Sequence, residues 1–243
     1  MPNDARALLE EEETSRIRQV YSKREQALAQ DRYSAFQRGH LLSRQEAEVR
    51  LLDLLKQCGC RGLAGRRVIE IGCGLGYWLR RFVDWGACPE LIVGIDVVHE
   101  YVIKARALVA PGVRVELGNA LNVSEHDRSF DVAAQFVMMS SVVDPQLRRQ
   151  IAGEMDRILK PGGLLVWYDV HVRNPNNPYL WGITKSELRK LFPSYALHVR
   201  RTTLAPPLGR VVGQGSEWAY RALSLIPFAR THYVAVLEKP RQA

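Results

Sequence analysis

No apolar run in the chain approaches the roughly 20 residues that a membrane-spanning helix needs, so no membrane partner is expected. The first residues, MPNDARALLEEEETSRIR, are polar and acidic, unlike a secretory signal, and a cytoplasmic location follows as an expectation. Cysteine is scarce: Cys58, Cys60, Cys73 and Cys88 supply one Cys-x-Cys and no second cluster. That spacing is poor for zinc, so reduced thiols and no metal are expected. There is no internal repeat, no low-complexity tract, and no Gly-Lys-Ser/Thr to make a phosphate-binding P-loop.

What is present suits an ordinary globular protein of one large domain with additions: 243 residues, 47% hydrophobic and 25% charged. The net charge of +8 is unevenly placed. Residues 1–60 carry 10 Lys/Arg and 10 Asp/Glu, residues 61–170 carry 13 and 13, and residues 171–243 carry 11 and 3. The whole excess lies in the last third, which favours an anionic partner there or a solvated basic surface.

Residues 5–38 read as helical, with Gly39 as an interruption. Ser43 and Glu46 have the spacing of a capping box for a second helix that ends at Cys58-Gly59. Short apolar runs then alternate with helical segments. Strands are expected at 67–71, 91–95, 113–117, 130–137 and 164–168, and helices at 77–85, 101–109 and 145–159. Such alternation means a parallel sheet with helices on both faces. Beyond Asp169 come a loop at 174–178, a helix at 185–191 capped by Thr184 and a strand at 197–204 stopped by Pro206-Pro207. A helix from Ser216 to Leu225 and a last strand at 232–238 complete the chain.

The segment Glu70-Ile71-Gly72-Cys73-Gly74-Leu75-Gly76 joins the first strand to a helix. Glycine lets a ligand approach the backbone closely, and the following helix offers free N–H groups. Dinucleotide binders need G-x-G-x-x-G. Here Tyr77 occupies the place of the third glycine, which comes one residue early at Gly76. That spacing opposes a nicotinamide-dependent oxidoreductase.

The run Val68–Leu79 resembles the first motif of class I S-adenosylmethionine-dependent methyltransferases. The order of later features resembles that family too. Asp96 ends the second strand, Gly118-Asn119-Ala120 follows the third, Phe130-Asp131-Val132 opens the fourth, and Lys160-Pro161-Gly162-Gly163 precedes the fifth. The family usually has Gly-Asp-Ala where this chain has Gly-Asn-Ala, so the adenine contact loses charge assistance. Segments 167–169, 174–178, 191–193 and 204–210 are similar to a bacterial subgroup of small-molecule methyltransferases. The resemblance implies a Rossmann-like, doubly wound, mostly parallel seven-stranded sheet with an antiparallel last strand. Residues 1–60 would be an N-terminal helical cap and 61–243 the methyltransferase domain, with 171–243 on the substrate side. It implies S-adenosylmethionine as cofactor, held by Glu70, Gly72, Cys73, Gly74, Gly76, Asp96, Val97, Asn119, Ala120 and Gln135.

The reacting face of such a sheet lies beyond the carboxyl ends of strands four and five. His171 is the candidate base, because its ordinary pKa lies near neutrality, with Asp169 orienting it and Tyr168 walling the acceptor pocket. Ser140, Arg173 and Arg210 are candidate acceptor contacts, the arginines for an anionic group. Tyr21, Tyr33, Phe36 and Arg44 are candidates for a cover over the cofactor. The Asn/Asp-Pro-Pro-Tyr sequence of nucleic-acid N-methyltransferases is missing after strand four. The expected reaction is therefore in-line methyl transfer to a small, anionic acceptor, a metabolite or sugar, with oxygen favoured. An RNA methyltransferase and a non-catalytic scaffold that keeps the fold are the alternatives, nucleic acid is the less favoured partner, and the oligomeric state stays open.

Overall fold

Val68–Ile71 forms strand β1 at the centre of the sheet, and all four of its residues are buried. Successive side chains of a strand point to opposite faces, so a strand covered on both sides has to be apolar throughout. The computed structural model, which describes residues 11–20, 34, 36–173 and 179–241, shows the same burial along β2 (Ile92–Asp96) and most of β4 (Phe130–Phe136). Strand β3 (Arg114–Leu117) lies at the sheet edge and is half exposed. Strands β5 (Leu159–Val170), β6 (Ala196–Leu204) and β7 (Arg230–Glu238) complete the order β3-β2-β1-β4-β5-β7-β6. Strand β7 runs antiparallel to both β5 and β6, and the other neighbouring pairs are parallel. This is the Rossmann-like seven-stranded sheet that the sequence implied.

Helices α1 (Arg38–Gln57), α2 (Tyr77–Asp84) and α3 (His99–Leu108) share one apolar core. Leu51, Phe82 and Ala105 pack there with Val68, Val132 and Val236. On the other face α4 (Pro145–Ile158) and α5 (Lys185–Leu191) bury Ile151, Met155 and Leu188 against Ile69, Ile71, Leu165 and Trp167. Alternate residues of β1 thus belong to different cores, which fixes the strand's register. Cap chemistry sets the helix starts. The Asp144 carboxylate accepts from the Gln146 and Leu147 N–H groups, and the Thr184 hydroxyl accepts from Glu187 N–H. In α7 (Glu217–Leu223) the Ser216 hydroxyl accepts from Ala219 N–H.

Five expectations are corrected. Helix α1 begins at Arg38, so Ser43 is not its cap. Its hydroxyl instead donates back to the Gly39 carbonyl and pairs with the Tyr220 hydroxyl, both at 2.9 Å. Gly39 does not interrupt the helix but lets it cross another. A Cβ built there would stand 2.2 Å from the Gly209 carbonyl oxygen, and one on Gly213 would stand 2.4 Å from Gly39 Cα. That second helix, α6 (Pro206–Gly215), was read as a break after β6. Pro206 and Pro207 occupy its first turn, where the missing N–H costs nothing. The structure also starts β5 before the Pro161–Gly163 turn: Phe130 pairs with Leu159, and the register shifts before Val132 meets Leu164. The helix expected over 5–38 is seen at 11–20 and has ended by Ser34. The rest of that span, with Tyr21 and Tyr33, and the loop 174–178 lie outside the described residues.

Candidate active site

The carboxyl ends of β1, β2, β4 and β5 open into one cavity of about 1390 Å³. Ordinary small-ligand clefts hold roughly 300–1,000 Å³, so there is room for two molecules side by side. Its wall includes Glu70, Gly72, Cys73, Gly74, Asp96, Val97, Asn119 and Ala120 from the expected cofactor set. Tyr168, Arg173 and Arg210 line it as well.

The glycine turn is built for close approach at one position. Gly74 has φ 53°, in the left-handed region, and a Cβ placed on it would meet nothing within 4 Å. Gly76 has another use. It sits at the N-terminal cap of α2, and a Cβ there would stand 2.9 Å from Val109 Cγ1, so this glycine serves packing and does not line the cavity. Asp96 holds the turn: its Oδ2 accepts from Gly74 N–H at 2.8 Å and its Oδ1 from Val98 N–H at 2.9 Å. Burial pushes this carboxyl above its ordinary value, while those N–H groups pull it back. Each oxygen keeps a lone pair for a further donor. Asn119 uses its Oδ1 on Leu121 N–H at 3.0 Å, closing a local turn beside the cavity.

Charge in the cavity is arranged in two parts. Glu70 is 1% exposed, and among the described residues its Oε2 has no hydrogen-bond partner. Burial, then the neighbouring Asp96, raises its pKa well above the usual carboxylate range. A buried carboxyl oxygen with no partner is costly and is suited to a donor or cation brought by a ligand. Burial also pushes up the Cys73 thiol, which keeps it neutral. Across from these acids the Arg44 guanidinium lies 4.0 Å from the centre of the Tyr77 ring, just after the turn. Burial lowers its pKa, and among the described residues it has no carboxylate partner. Arg210 lines the same wall, and both arginines act with burial to lower the pKa of His40 to about 4.

The reacting end differs from expectation. His171 is not on the cavity wall. Its ring stacks on Tyr233 with centres 4.1 Å apart, and its Nε2 meets the Arg230 carbonyl at 3.1 Å. Asp169, fully buried, accepts from Ser140 N–H and Val170 N–H, so it braces the β4 and β5 ends and does not orient His171. Ser140 is fully buried behind the wall. Gln135 is buried likewise, its Oε1 accepting from Met138 and Met139 N–H. The structure keeps these four residues and Gly76 off the cavity wall.

His232 is the histidine that the structure does place on the wall. It stacks on Tyr168 at 5.1 Å, and its Nδ1 lies 3.0 Å from the Thr231 hydroxyl. Burial and then His171 lower its pKa to about 3, so the ring is neutral in the working range. The Tyr168 hydroxyl is 2.9 Å from Thr203 Oγ1. Thr203 has φ 61° and Val137 has φ 58°. Both are β-branched, for which this region is a rare conformation, and both border the cavity. Such strain costs about 1–3 kcal/mol per residue and gathers at functional sites.

Helical residues 11–20 supply a further wall. Glu13 Oε1 accepts from Val143 N–H at 2.8 Å, Arg16 donates to the Ser141 carbonyl at 2.5 Å, and Arg18 donates to the Val97 carbonyl at 3.0 Å. The stretch therefore bridges the segments after β2 and β4. Phe36, expected in the cover, is 95% exposed, whereas Arg44 does face inward. Nothing in the sequence pattern marked Glu13, Arg16, His40 or His232, because each reaches the cavity through tertiary packing.

Known proteins agree with this architecture. A family model described as "Methyltransferase domain" matches residues 68–163. A ubiquinone biosynthesis O-methyltransferase of Pseudomonas fluorescens is 32% identical over 138 residues, 54% of this chain and 56% of that protein. A 24-methylenesterol C-methyltransferase 2 of Oryza sativa subsp. japonica is 31% identical over 137 residues, 54% of this chain and 35% of that protein. The chain thus spans about a third to a half of the length of these relatives. The crystal structure of an S-adenosylmethionine-dependent methyltransferase from Mesorhizobium loti shares the fold at 16% identity, with a TM-score of 0.59 over 79% of this chain and 98% of that one. Residues 68–163 are thus similar to a methyltransferase domain, and the solved structure that shares the fold is of an S-adenosylmethionine-dependent methyltransferase. The residues present fit S-adenosylmethionine. An open approach at Gly74, and a Glu70 oxygen and an Arg44 guanidinium that have no hydrogen-bond or carboxylate partner among the described residues, suit a ligand that carries a nucleoside, two cationic centres and a carboxylate.

Proposed function

We propose that the chain transfers the methyl group of S-adenosylmethionine to a small anionic acceptor, with an oxygen as the favoured methyl-accepting atom. The observation that carries this reading is the pairing, in one cavity, of the Gly74–Asp96 cradle with an arginine-lined wall. Bound there, the cofactor supplies an activated sulfonium methyl for in-line displacement, so the protein's task is mainly positioning. Asp96 accepts ribose hydroxyls on its remaining lone pairs, and Gly74 leaves the backbone open to the cofactor, with Gly72 and Cys73 beside it on the wall. Val97, Asn119 and Ala120 border the base. Glu70 faces the cationic centres, and Arg44 pairs with the cofactor carboxylate. Arg210 and Arg173 hold the acceptor's anionic group, beside Tyr168. His232, neutral and on the wall, accepts a hydrogen bond from the acceptor and so takes the place first given to His171. Residues 1–60 act as the cap, with 11–20 closing over the site, and 61–243 act as the methyltransferase domain.

His171→Ala is accordingly expected to change turnover less than twofold, while His232→Ala slows it about tenfold with cofactor affinity intact. Those figures are the usual scale for losing an orienting hydrogen bond. Equal losses in both variants would remove His232 from this role.

The basic last third also suits RNA, which makes an RNA methyltransferase the second reading. Incubating the protein with methyl-labelled S-adenosylmethionine and a bacterial extract separates the two. Label is expected in the acid-soluble small-molecule fraction. Label confined to RNA would establish the second reading, and label in neither fraction would favour a non-catalytic scaffold.

A further inference from the structure

The face formed by α6 and α7 carries large apolar side chains that the fold leaves uncovered. Trp218 is 83% exposed, Phe228 85%, and Val211 and Leu225 76% each, with Leu208 beside them at 40%. Trp218 lies in the first turn of α7, and Leu225 and Phe228 follow in the turn and the short 3-10 helix after it. Tyr220, on the opposite side, is buried against Gly209 and Gly213 of α6. Isolated exposed apolar residues are common, but a group on one helix pair marks a contact surface.

The charge around this face is mainly positive. Between Pro206 and Ala229 the sequence holds Arg210, Arg221 and a single carboxylate, Glu217, and Arg38 and Arg201 lie against the same segment. Glu217 is shared by Arg38 at 3.1 Å and Arg221 at 2.7 Å, leaving an excess of positive charge. Arg201, also exposed, donates to the Pro227 carbonyl beside Phe228. Aromatic and aliphatic side chains mixed with arginines are the composition of an element that lies in a membrane interface, and the arginines are attracted to anionic headgroups. Two other partners fit less well. A second copy of the chain would set the same arginines against each other. Leu208, Val211 and Leu225 have no π-face on which a nucleic-acid base could stack.

We propose that the α6–α7 face docks on an anionic phospholipid surface, with Trp218, Leu225 and Phe228 entering the headgroup region and Arg38, Arg201 and Arg221 meeting lipid phosphates. Among the described residues no helix is long and apolar enough to cross a membrane, and docking of this kind needs none. The same helix α6 places Pro206, Pro207 and Arg210 on the cavity wall. Docking therefore leaves a single helix between this part of the cavity wall and the bilayer. Resting on the methyl-transfer reading, it makes the acceptor an amphiphile, with an anionic group for Arg210 and an apolar part drawn from the membrane.

The test is co-sedimentation of the full chain with vesicles of phosphatidylcholine containing roughly one quarter phosphatidylglycerol, at about 0.1 M salt. The protein is expected to pellet with these vesicles. It should stay in solution with pure phosphatidylcholine, and should be released near 0.5 M salt, where charges are screened within about 4–5 Å. The Trp218→Ser, Phe228→Ser double variant is expected to bind the anionic vesicles about tenfold more weakly. Both positions are exposed, so its melting temperature and its affinity for S-adenosylhomocysteine should be unchanged. No pelleting above the phosphatidylcholine level, or equal pelleting of the double variant, overturns the proposal. So does a wild-type dimer that the double variant converts to monomer, or stoichiometric binding of a single-stranded RNA that the same substitutions abolish. Loss of S-adenosylhomocysteine binding in the wild type would instead sink the cofactor reading and leave the vesicle result standing.

Discussion

Gly74→Val is expected to abolish measurable binding of S-adenosylhomocysteine while leaving the protein folded. Gly74 sits at φ 53° with nothing within 4 Å of where a Cβ would be. Valine there brings two costs of different kinds. A branched side chain in the left-handed region destabilises the fold by about 1–2 kcal/mol, too little to unfold a typical domain. The larger effect is steric. The open space beside Gly74 belongs to the cavity, and the isopropyl group occupies the volume through which a ligand meets the backbone. The expected loss is on the order of 100-fold or more, about 2.7 kcal/mol. Calorimetry checks the binding, and circular dichroism with a melting curve checks the fold. A folded variant that binds within twofold of wild type would mean that the ligand does not approach at this turn.

Asp96→Ala is expected to lower both stability and cofactor affinity. The carboxylate accepts from Gly74 and Val98 N–H groups. Removing it leaves two backbone donors unpaired, at about 1–3 kcal/mol each where they stay dry. It also frees the glycine turn from the end of β2 and removes the acceptor proposed for the ribose. The expected drop in affinity for S-adenosylhomocysteine is about 100-fold or more. Asp96→Asn keeps one carbonyl oxygen and should fall between the alanine variant and wild type. Unchanged affinity in Asp96→Ala, with a lowered melting temperature, would show that this side chain holds the turn and nothing else.

Residues close together in sequence were the legible part of the site. The strand–turn–helix at 68–84 could be read because local rules govern it: a short apolar run, glycines where the backbone turns, then a helical period. Helix α5 fell at the expected residues because Thr184 has a hydroxyl to cap it. Two glycines were misjudged for one reason, that glycine can serve a turn, a ligand or a neighbouring helix. Gly39 and Gly76 serve close packing, against Gly209 and Val109, and only the tertiary structure distinguishes these uses. Pro206-Pro207 carried two meanings as well, a strand stop and a helix start, and both apply.

The histidines show where sequence reasoning ends. His171 was named because it follows β5, where reacting groups of this architecture gather. Its ring nevertheless turns to Tyr233 on β7, away from the cavity. His232 pairs with Val170 across the antiparallel β5–β7 ladder and faces inward. No local pattern encodes that register, which depends on where the chain returns after α7. Gln135, Ser140 and Asp169 failed for a related reason. Each lies near the site, but Gln135 and Asp169 accept from backbone N–H groups, and Ser140 is buried behind the wall. Proximity to the reacting face could be read from the sequence, and side-chain direction could not.

The most direct test of the whole account is a calorimetric titration of the wild-type chain with S-adenosylmethionine, S-adenosylhomocysteine and NAD in parallel. Binding of both adenosyl sulfur compounds at one site per chain is expected, with no heat from NAD under the same conditions. Binding of NAD in the absence of both would contradict the reading of the Glu70–Gly76 turn, and with it the proposed cofactor chemistry.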